Sequence, residues 1–268
     1  MKTILVTGAN RGIGLEICRQ LSESGHRIIL TSRDEAQGIA AAASLKGNVI
    51  AKQLDVTSEL SIKKLYNDLN SMVGSLDVLI NNAGVGTGSE TYRNNRYERA
   101  KLFVKSKLSI AYSPLRRLMP LVKKTGVAGK RSGALDIEIT SVRAIMDTNL
   151  YGPWMMIQTF IPMLEKSDDA QIINISSGMG SFSQLSGHYS GYSLSKYALN
   201  ALTIMLTDEL KAKGIRINAM CPGWVKTRMG GPNAPLNVSE GADTAVWLVN
   251  SEQKVNGKFL KGRKVIDW

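Results

Sequence analysis

Cysteine is nearly missing from the 268-residue sequence: Cys18 and Cys221 are the whole supply, too few for a disulfide framework. That excludes the small, disulfide-stapled secreted class and leads us to expect a reducing, cytoplasmic compartment. Long apolar runs are missing too. No stretch approaches the roughly 18–20 residues that a membrane-spanning helix needs, and the apolar part of the first eight residues is too short for a signal peptide. No transmembrane segment is therefore expected. Acidic residues are in short supply, 22 against 34 Lys and Arg, for a formal charge of +12. Such a balance by itself points to nucleic acid, an anionic membrane surface or an acidic ligand. Hydrophobic residues make up 43% and charged residues 21%, which excludes a disordered or collagen-like chain.

What is present is an alternation of short β-branched runs with longer helical patterns. Strands are expected at 2–7, 27–32, 48–54, 76–81, 171–176, 215–220 and 257–260. Most are near-continuous apolar runs, as in parallel strands buried on both faces. Helices are expected at about 12–24, 34–45, 58–73, 138–165, 193–212 and 239–249, the last with Ser239 as N-cap. Strand–helix alternation implies right-handed crossovers. The expected fold class is therefore α/β: a Rossmann-type, doubly wound, mostly parallel seven-stranded sheet with helices on both faces, in a single domain spanning 1–268.

The first strand runs into Thr7-Gly8-Ala9-Asn10-Arg11-Gly12-Ile13-Gly14, and an amphipathic helix follows. Glycines there allow a sharp strand-to-helix reversal and let a pyrophosphate reach the helix N-terminus, where free N–H groups favour an anion. The end of the second strand bears on NAD against NADP. An NAD-selective site wants a carboxylate there; this chain has Ser32 followed by Arg33, with Arg11 nearby in the glycine loop. Two guanidiniums suit a 2′-phosphate, so NADP is preferred, with Asp34 as counter-evidence. Asp55, with Val56 beside it after the third strand, is placed to accept from an adenine amino group. Asn82, Ala83 and Gly84 close the fourth strand with small residues that admit the cofactor, and an Asn amide there can tie neighbouring strand ends together.

Tyr192 and Lys196 stand four apart on a predicted helix and share a face. An ammonium beside a phenol favours the phenolate, so Tyr192 is expected to have a lowered pKa and to serve as a proton donor and acceptor. Tyr189 lacks a lysine at that spacing. The strand at 171–176 ends in Ser176-Ser177, and one of the two hydroxyls faces the crevice at the carboxyl edge, ready to polarise a carbonyl oxygen. We choose Ser177. Pro153 has no N–H to offer the carbonyl of Asn149, so a kink and a site for ordered water are expected there, linking Lys196 to solvent.

Together these motifs resemble the short-chain dehydrogenase/reductase family, and its carbonyl reductase-like branch in particular. The resemblance rests on TGANRGIG at 7–14, LDVLINNAG at 76–84, the Asn149, Ser177, Tyr192 and Lys196 set, CPGWVKT at 221–227, SEGA at 239–242 and the terminal Trp268. It covers about 2–85 and 136–268. It implies an NADPH-dependent carbonyl reductase, reversible as an alcohol dehydrogenase, acting on a small-molecule carbonyl or alcohol without a metal. Tyr192 would donate the proton, Ser177 orient the carbonyl, Lys196 bind the nicotinamide ribose, and Asn149 hold the relay water. Pro222, Gly223, Val225 and Thr227 would cradle the nicotinamide, with Trp224 at the substrate pocket. Ser177 and Tyr192 stand 15 residues apart, farther than the family pattern usually has them. Relatives pair through their long helices or stay monomeric, so monomer and homo-oligomer both remain open.

The rhythm breaks at about 86–135. This insertion carries twelve basic residues against Glu90 and Glu98, a net of +10, which leaves +2 for the rest of the chain. Three readings stand: a lid favouring acidic substrates, a surface segment for nucleic acid or an anionic membrane, or a tolerated insertion without a role. The second supports a rival function, a non-enzymatic dinucleotide-sensing protein that binds an anionic partner through 86–135.

Overall fold

The computed structural model describes residues 1–86 and 133–268. Its strands are β1 (Thr3–Val6), β2 (Arg27–Ser32), β3 (Asn48–Gln53), β4 (Val78–Asn81), β5 (Gln171–Ile175), β6 (Arg216–Met220), β7 (Phe259–Lys261) and β8 (Lys264–Ile266). They form one sheet in the order β3-β2-β1-β4-β5-β6-β7-β8. All neighbours pair in parallel except β7 and β8. The chain reverses between β3 and β4, so the crevice of a doubly wound sheet opens at the carboxyl ends of β1 and β4.

The helices are α1 (Gly12–Glu23), α2 (Glu35–Ala43), α3 (Glu59–Met72), α4 (Ile139–Met146), α5 (Gly152–Leu164), α6 (Ser190–Lys211) and α7 (Val238–Asn250). Strand periodicity sorts the core into two layers. Ile4, Val6, Ile28, Leu30, Val78 and Ile80 face Ile17 and Leu21 of α1 and Ala245 and Leu248 of α7. Leu5, Ile29, Leu79, Ile172 and Ile217 face the other way, onto Leu65 and Leu69 of α3 and Ile157 and Phe160 of α5. This is why the strand sequences read as unbroken apolar runs. Among the described residues, no helix is long and apolar enough to cross a membrane.

Two details differ from expectation, and a third gives an expected kink its form. The sheet has eight strands, not seven: a tight turn at Gly262–Arg263, both at positive φ, folds three further residues back on β7. The Arg263 guanidinium ties that turn to Asp243 on α7. The α7 N-cap is Asn237, not Ser239. The Asn237 side chain accepts from the Glu240 N–H while the Glu240 carboxylate accepts from the Asn237 N–H, a reciprocal box spelled N-x-x-E. Finally, the kink expected at Asn149 within the helix over 138–165 takes the form of a π-helical turn at Asp147–Tyr151 that divides it in two. Pro153 explains it: the N–H that would close an ordinary turn onto the Asn149 carbonyl does not exist.

Candidate active site

Parallel strands put their carboxyl ends on one edge, and the loops leaving that edge carry most of the residues expected at the site. The glycine loop lies directly against the end of β4. Gly8 has φ +61°, and a Cβ there would come within 2.9 Å of Ala83 Cα. A Cβ on Gly14 would overlap the Asn82 amide nitrogen. Asn82 needs that space because its Nδ2 donates to the carbonyls of Thr7 (2.9 Å) and Gly8 (3.0 Å). Thr7 answers through its hydroxyl, which accepts from the N–H groups of Asn82 (3.0 Å) and Ala83 (2.9 Å). Gly14→Ala is expected to break the Asn82 ties. Two lost hydrogen bonds amount to about 2 kcal/mol, a drop of roughly 4–8 °C in thermal midpoint for a chain of this size; a calorimetric melt checks it.

The start of α1 is dressed differently from those of α2, α3 and α7. Asp34, Ser58 and Asn237 cap α2, α3 and α7 with their side chains. At α1 the cap residue is Arg11, whose side chain makes no capping bond, and the first turn holds no acid. Its backbone N–H groups therefore suit an external anion. Across the crevice stands the loop after β6. Val225 is buried against Gly241 and the loop closes on Leu236. Thr227 Oγ1 accepts from the Gly230 N–H (3.0 Å), and its methyl lies 3.6 Å from where a Cβ on Gly12 would sit. The glycine loop and the Pro222–Thr227 loop thus meet. Trp224 is exposed on that loop, with its indole N–H donating to the Gly230 carbonyl (2.8 Å).

Between these loops the structure brings Asn149, Ser177, Tyr192 and Lys196 together. Asn149, in the π-helical turn, is fully buried. Its Oδ1 accepts from the Val85 N–H (2.8 Å), and its Nδ2 donates to the Val85 carbonyl (2.9 Å) and to Ser195 Oγ (3.0 Å). Ser195 in turn donates to the Tyr192 carbonyl (2.7 Å). Ser177 and Tyr192 are hydrogen-bonded through their side chains. Lys196 reaches back under the sheet edge: its Nζ donates to the Ile175 carbonyl (2.7 Å) and passes beside Gly84. Ser176, the rejected neighbour, turns inward to bond Asn200 (2.6 Å), as strand alternation requires.

Comparison with known proteins places this arrangement. A family profile described as short chain dehydrogenase matches residues 2–106 and 103–235. The (+)-neomenthol dehydrogenase of Arabidopsis thaliana is 30% identical, over 98% of this chain and 97% of that protein. The carbonyl reductase (NADPH) 1 of Sus scrofa is 28% identical, over 100% of this chain and 94% of that protein. Among solved structures, NADPH-bound carbonyl reductase from chicken fatty liver is similar with a TM-score of 0.78 at 28% identity, covering 100% of this chain and 99% of that one. The chain belongs to the short-chain dehydrogenase family. It is an oxidoreductase, and within the family it is carbonyl reductase-like.

This short-chain dehydrogenase departs from one sequence expectation about its tyrosine. Burial pushes the Tyr192 phenol up to about 12; the hydrogen bond from Ser177 pulls down less strongly, and nearby Cys221 adds to the rise. Burial also lowers Lys196 to about 8, against an opposite pull from Cys221. The expected lowering of the Tyr192 pKa is thus reversed. The ammonium sits 5.9 Å from the centre of the Tyr192 ring and is spent on the Ile175 carbonyl, so desolvation outweighs its field.

The position of Asp34 also changes its meaning. Its carboxylate accepts from the Gln37 N–H (3.0 Å) and the Gln37 side-chain amide (3.1 Å), the work of a helix cap. Gln37 is further bonded by Asn10 (2.9 Å) of the glycine loop. Arg11 and Arg33 are exposed on the same rim. Asp55 accepts through one oxygen from the Thr57 N–H (2.9 Å) and hydroxyl (2.8 Å), and Val56 is buried under Gly152.

Three residues of the site were given no role from the sequence, although Thr7 and Cys221 lie inside its motifs: Thr7, Ser195 and Cys221. The Cys221 thiol accepts from the N–H groups of Gly178 (3.0 Å) and Gly223 (3.4 Å), joining the loop after β5 to the loop after β6. The readings made for the basic stretch at 86–135 lie almost wholly outside the described residues.

Proposed function

We propose that this protein is an NADPH-dependent carbonyl reductase that reduces an aldehyde or ketone and runs in reverse as an alcohol dehydrogenase. The observation that carries the reading is the meeting of Ser177, Tyr192 and Lys196 beside Gly84, beneath the glycine loop. Bound NADPH supplies the hydride. The uncapped start of α1, with Gly8, Asn10, Gly12, Ile13 and Gly14 around it, takes the pyrophosphate. Arg11 and Arg33 take the 2′-phosphate, a reading supported by the engagement of Asp34 with Gln37 as a helix cap. Asp55 and Val56 border the adenine. Asn82, Ala83 and Gly84 let the backbone approach, and Pro222, Gly223, Val225 and Thr227 hold the nicotinamide end.

The proton side belongs to this chain. Ser177 donates to the carbonyl oxygen as charge builds on it. A phenol held at about 12 stays protonated at neutral pH, the form that reduction consumes, and Tyr192 gives that proton to the same oxygen. Lys196 holds the ribose hydroxyls and supplies the positive charge that stabilises the phenolate left behind. Asn149 fixes Val85 and, through Ser195, the first turn of α6, with the relay water at the π-helical turn. We place this reaction in one domain and in the cytoplasm, a placement supported by two buried free thiols, Cys18 and Cys221.

The test is a panel of aldehydes and ketones with purified protein, followed by loss of NADPH absorbance. No turnover across a broad panel would overturn the reading. The cofactor assignment has its own test. Arg11→Ala with Arg33→Ala is expected to raise the KM for NADPH by about 10- to 100-fold, the worth of roughly two charge-assisted contacts, and to leave the KM for NADH within about twofold.

A further inference from the structure

We infer that Asn200 is a positioning residue for Ser177 and Lys196, holding the loop that carries the first against the helix that carries the second; the inference rests on the reductase reading above. Asn200 follows Lys196 by one helical turn on α6 and shares its inward face. It is 2% exposed. Its Oδ1 accepts from Ser176 Oγ at 2.6 Å and its Nδ2 donates to the Gly180 carbonyl at 3.2 Å. Those two partners straddle Ser177. A carboxamide is the side chain that accepts on one side and donates on the other at a fixed separation. Aspartate has no donor to offer Gly180, and leucine offers neither group.

The contact at Gly180 bears directly on the lysine. A Cβ on Gly180 would come 2.7 Å from the Lys196 carbonyl carbon and 2.9 Å from its Cβ. The far end of the loop is therefore seated on the backbone of Lys196. The loop also moves as a piece. The Gly180 N–H donates to the Ser177 carbonyl (2.8 Å), and the Met179 N–H donates to Ser177 Oγ (3.2 Å). A shift at Gly180 is thereby passed to the Ser177 hydroxyl. Other fastenings run to different elements: Cys221 holds Gly178 to the loop after β6, and the carbonyls of Asp267 and Trp268 hold Ser181 and Phe182 to the chain end. Toward α6, Ser177 meets Tyr192 and Ser176 Oγ reaches the Lys196 carbonyl at 3.5 Å, and Asn200 adds the tie that spans the loop from Ser176 to Gly180.

Thr203, a turn further along, is the internal control. It is as buried as Asn200 and joins α6 to β5 by accepting from Asn174 Nδ2 (2.9 Å), with no bond to the loop. The test compares Asn200→Leu with Thr203→Val in the full-length protein. The readouts are kcat at saturating NADPH, the Kd for NADPH, the thermal midpoint, and deuterium exchange of peptides covering 177–182. For Asn200→Leu we expect kcat to fall about tenfold or more, as for a misplaced catalytic group, with Kd for NADPH within about threefold, and exchange across 177–182 to rise about tenfold. Thr203→Val should lose a similar amount of thermal stability while keeping kcat and that exchange within about twofold. If Asn200→Leu does not fold, Ser176→Ala removes the Ser176 half of the tie and leaves the Gly180 half, so kcat and exchange should move in the same directions by a smaller amount, and no change in either overturns the inference. Unchanged kcat or unchanged exchange overturns the inference, as does a parallel fall of kcat and NADPH affinity. Should wild-type protein reduce no carbonyl, the reductase reading fails, and exchange alone decides whether Asn200 holds the loop.

Discussion

Replacing Tyr192 by Phe is expected to lower kcat for carbonyl reduction by about 100- to 10,000-fold, the usual contribution of a positioned general acid, with NADPH affinity kept within about threefold. Phenylalanine retains the ring and its packing and deletes the one hydroxyl that touches Ser177. In the proposed reaction the lost group is the proton source for the carbonyl oxygen, so the deficit should fall on kcat and not on cofactor binding. Single-turnover reduction, read beside fluorescence titration with NADPH, separates the two. A variant that keeps more than about a tenth of wild-type turnover would remove Tyr192 from the acid role. The fully extended form of the expectation includes Ser177, which loses its side-chain partner in the same variant and is left to polarise the carbonyl without relay.

The second large effect concerns Lys196, where activity and stability are expected to move in opposite directions. Lys196→Met should abolish most turnover, by about 100-fold or more, and should stabilise the ligand-free protein at pH 7. The amine is 4% exposed and is lowered from 10.5 to about 8 in the folded chain. At about 1.4 kcal/mol per unit, keeping it charged in the fold costs on the order of 3 kcal/mol. Losing its bond to Ile175 gives back about 1, leaving a gain near 2 kcal/mol. The pH dependence has a definite sign. Below pH 8 both states hold the proton and the wild type bears the full cost. Between pH 8 and 10.5 the unfolded chain still binds a proton that the folded chain has released, so wild-type stability rises with pH. The methionine variant lacks that slope, and its advantage should fade toward pH 10. Denaturant unfolding at neutral and alkaline pH measures both, and a variant less stable than wild type at pH 7 would contradict the assignment.

Much of this was legible in the residues. The buried parallel strands announced themselves because Leu5 and its neighbours Ile4 and Val6 serve opposite layers, leaving no polar position between them. Gly14 was readable because a close approach excludes every other side chain. Strand alternation required that only one of Ser176 and Ser177 face the crevice, without saying which. Other features were hidden for physical reasons. The β8 strand is three residues long between charged neighbours, and its turn places a non-glycine, Arg263, at positive φ. The direction of the Tyr192 shift is set chiefly by the burial of its phenol, which no spacing in the sequence encodes. The parts played by Thr7, Ser195 and Asn200 depend on partners 75, 46 and 24 positions away, and common residue types give no local warning of such bonds.

The strand order has a consequence for how the reaction is assembled. β4 pairs with β1 on one side and β5 on the other, and Asn81 donates across the second seam to Asn174 at 2.9 Å. In the proposed reading, residues before 87 take the dinucleotide's phosphates and adenine, whereas Ser177, Tyr192 and Lys196 all come after 132. On that reading, electron donor and proton donor are recruited by different stretches of polypeptide, and the β4–β5 ladder is the seam along which the two would be brought into alignment.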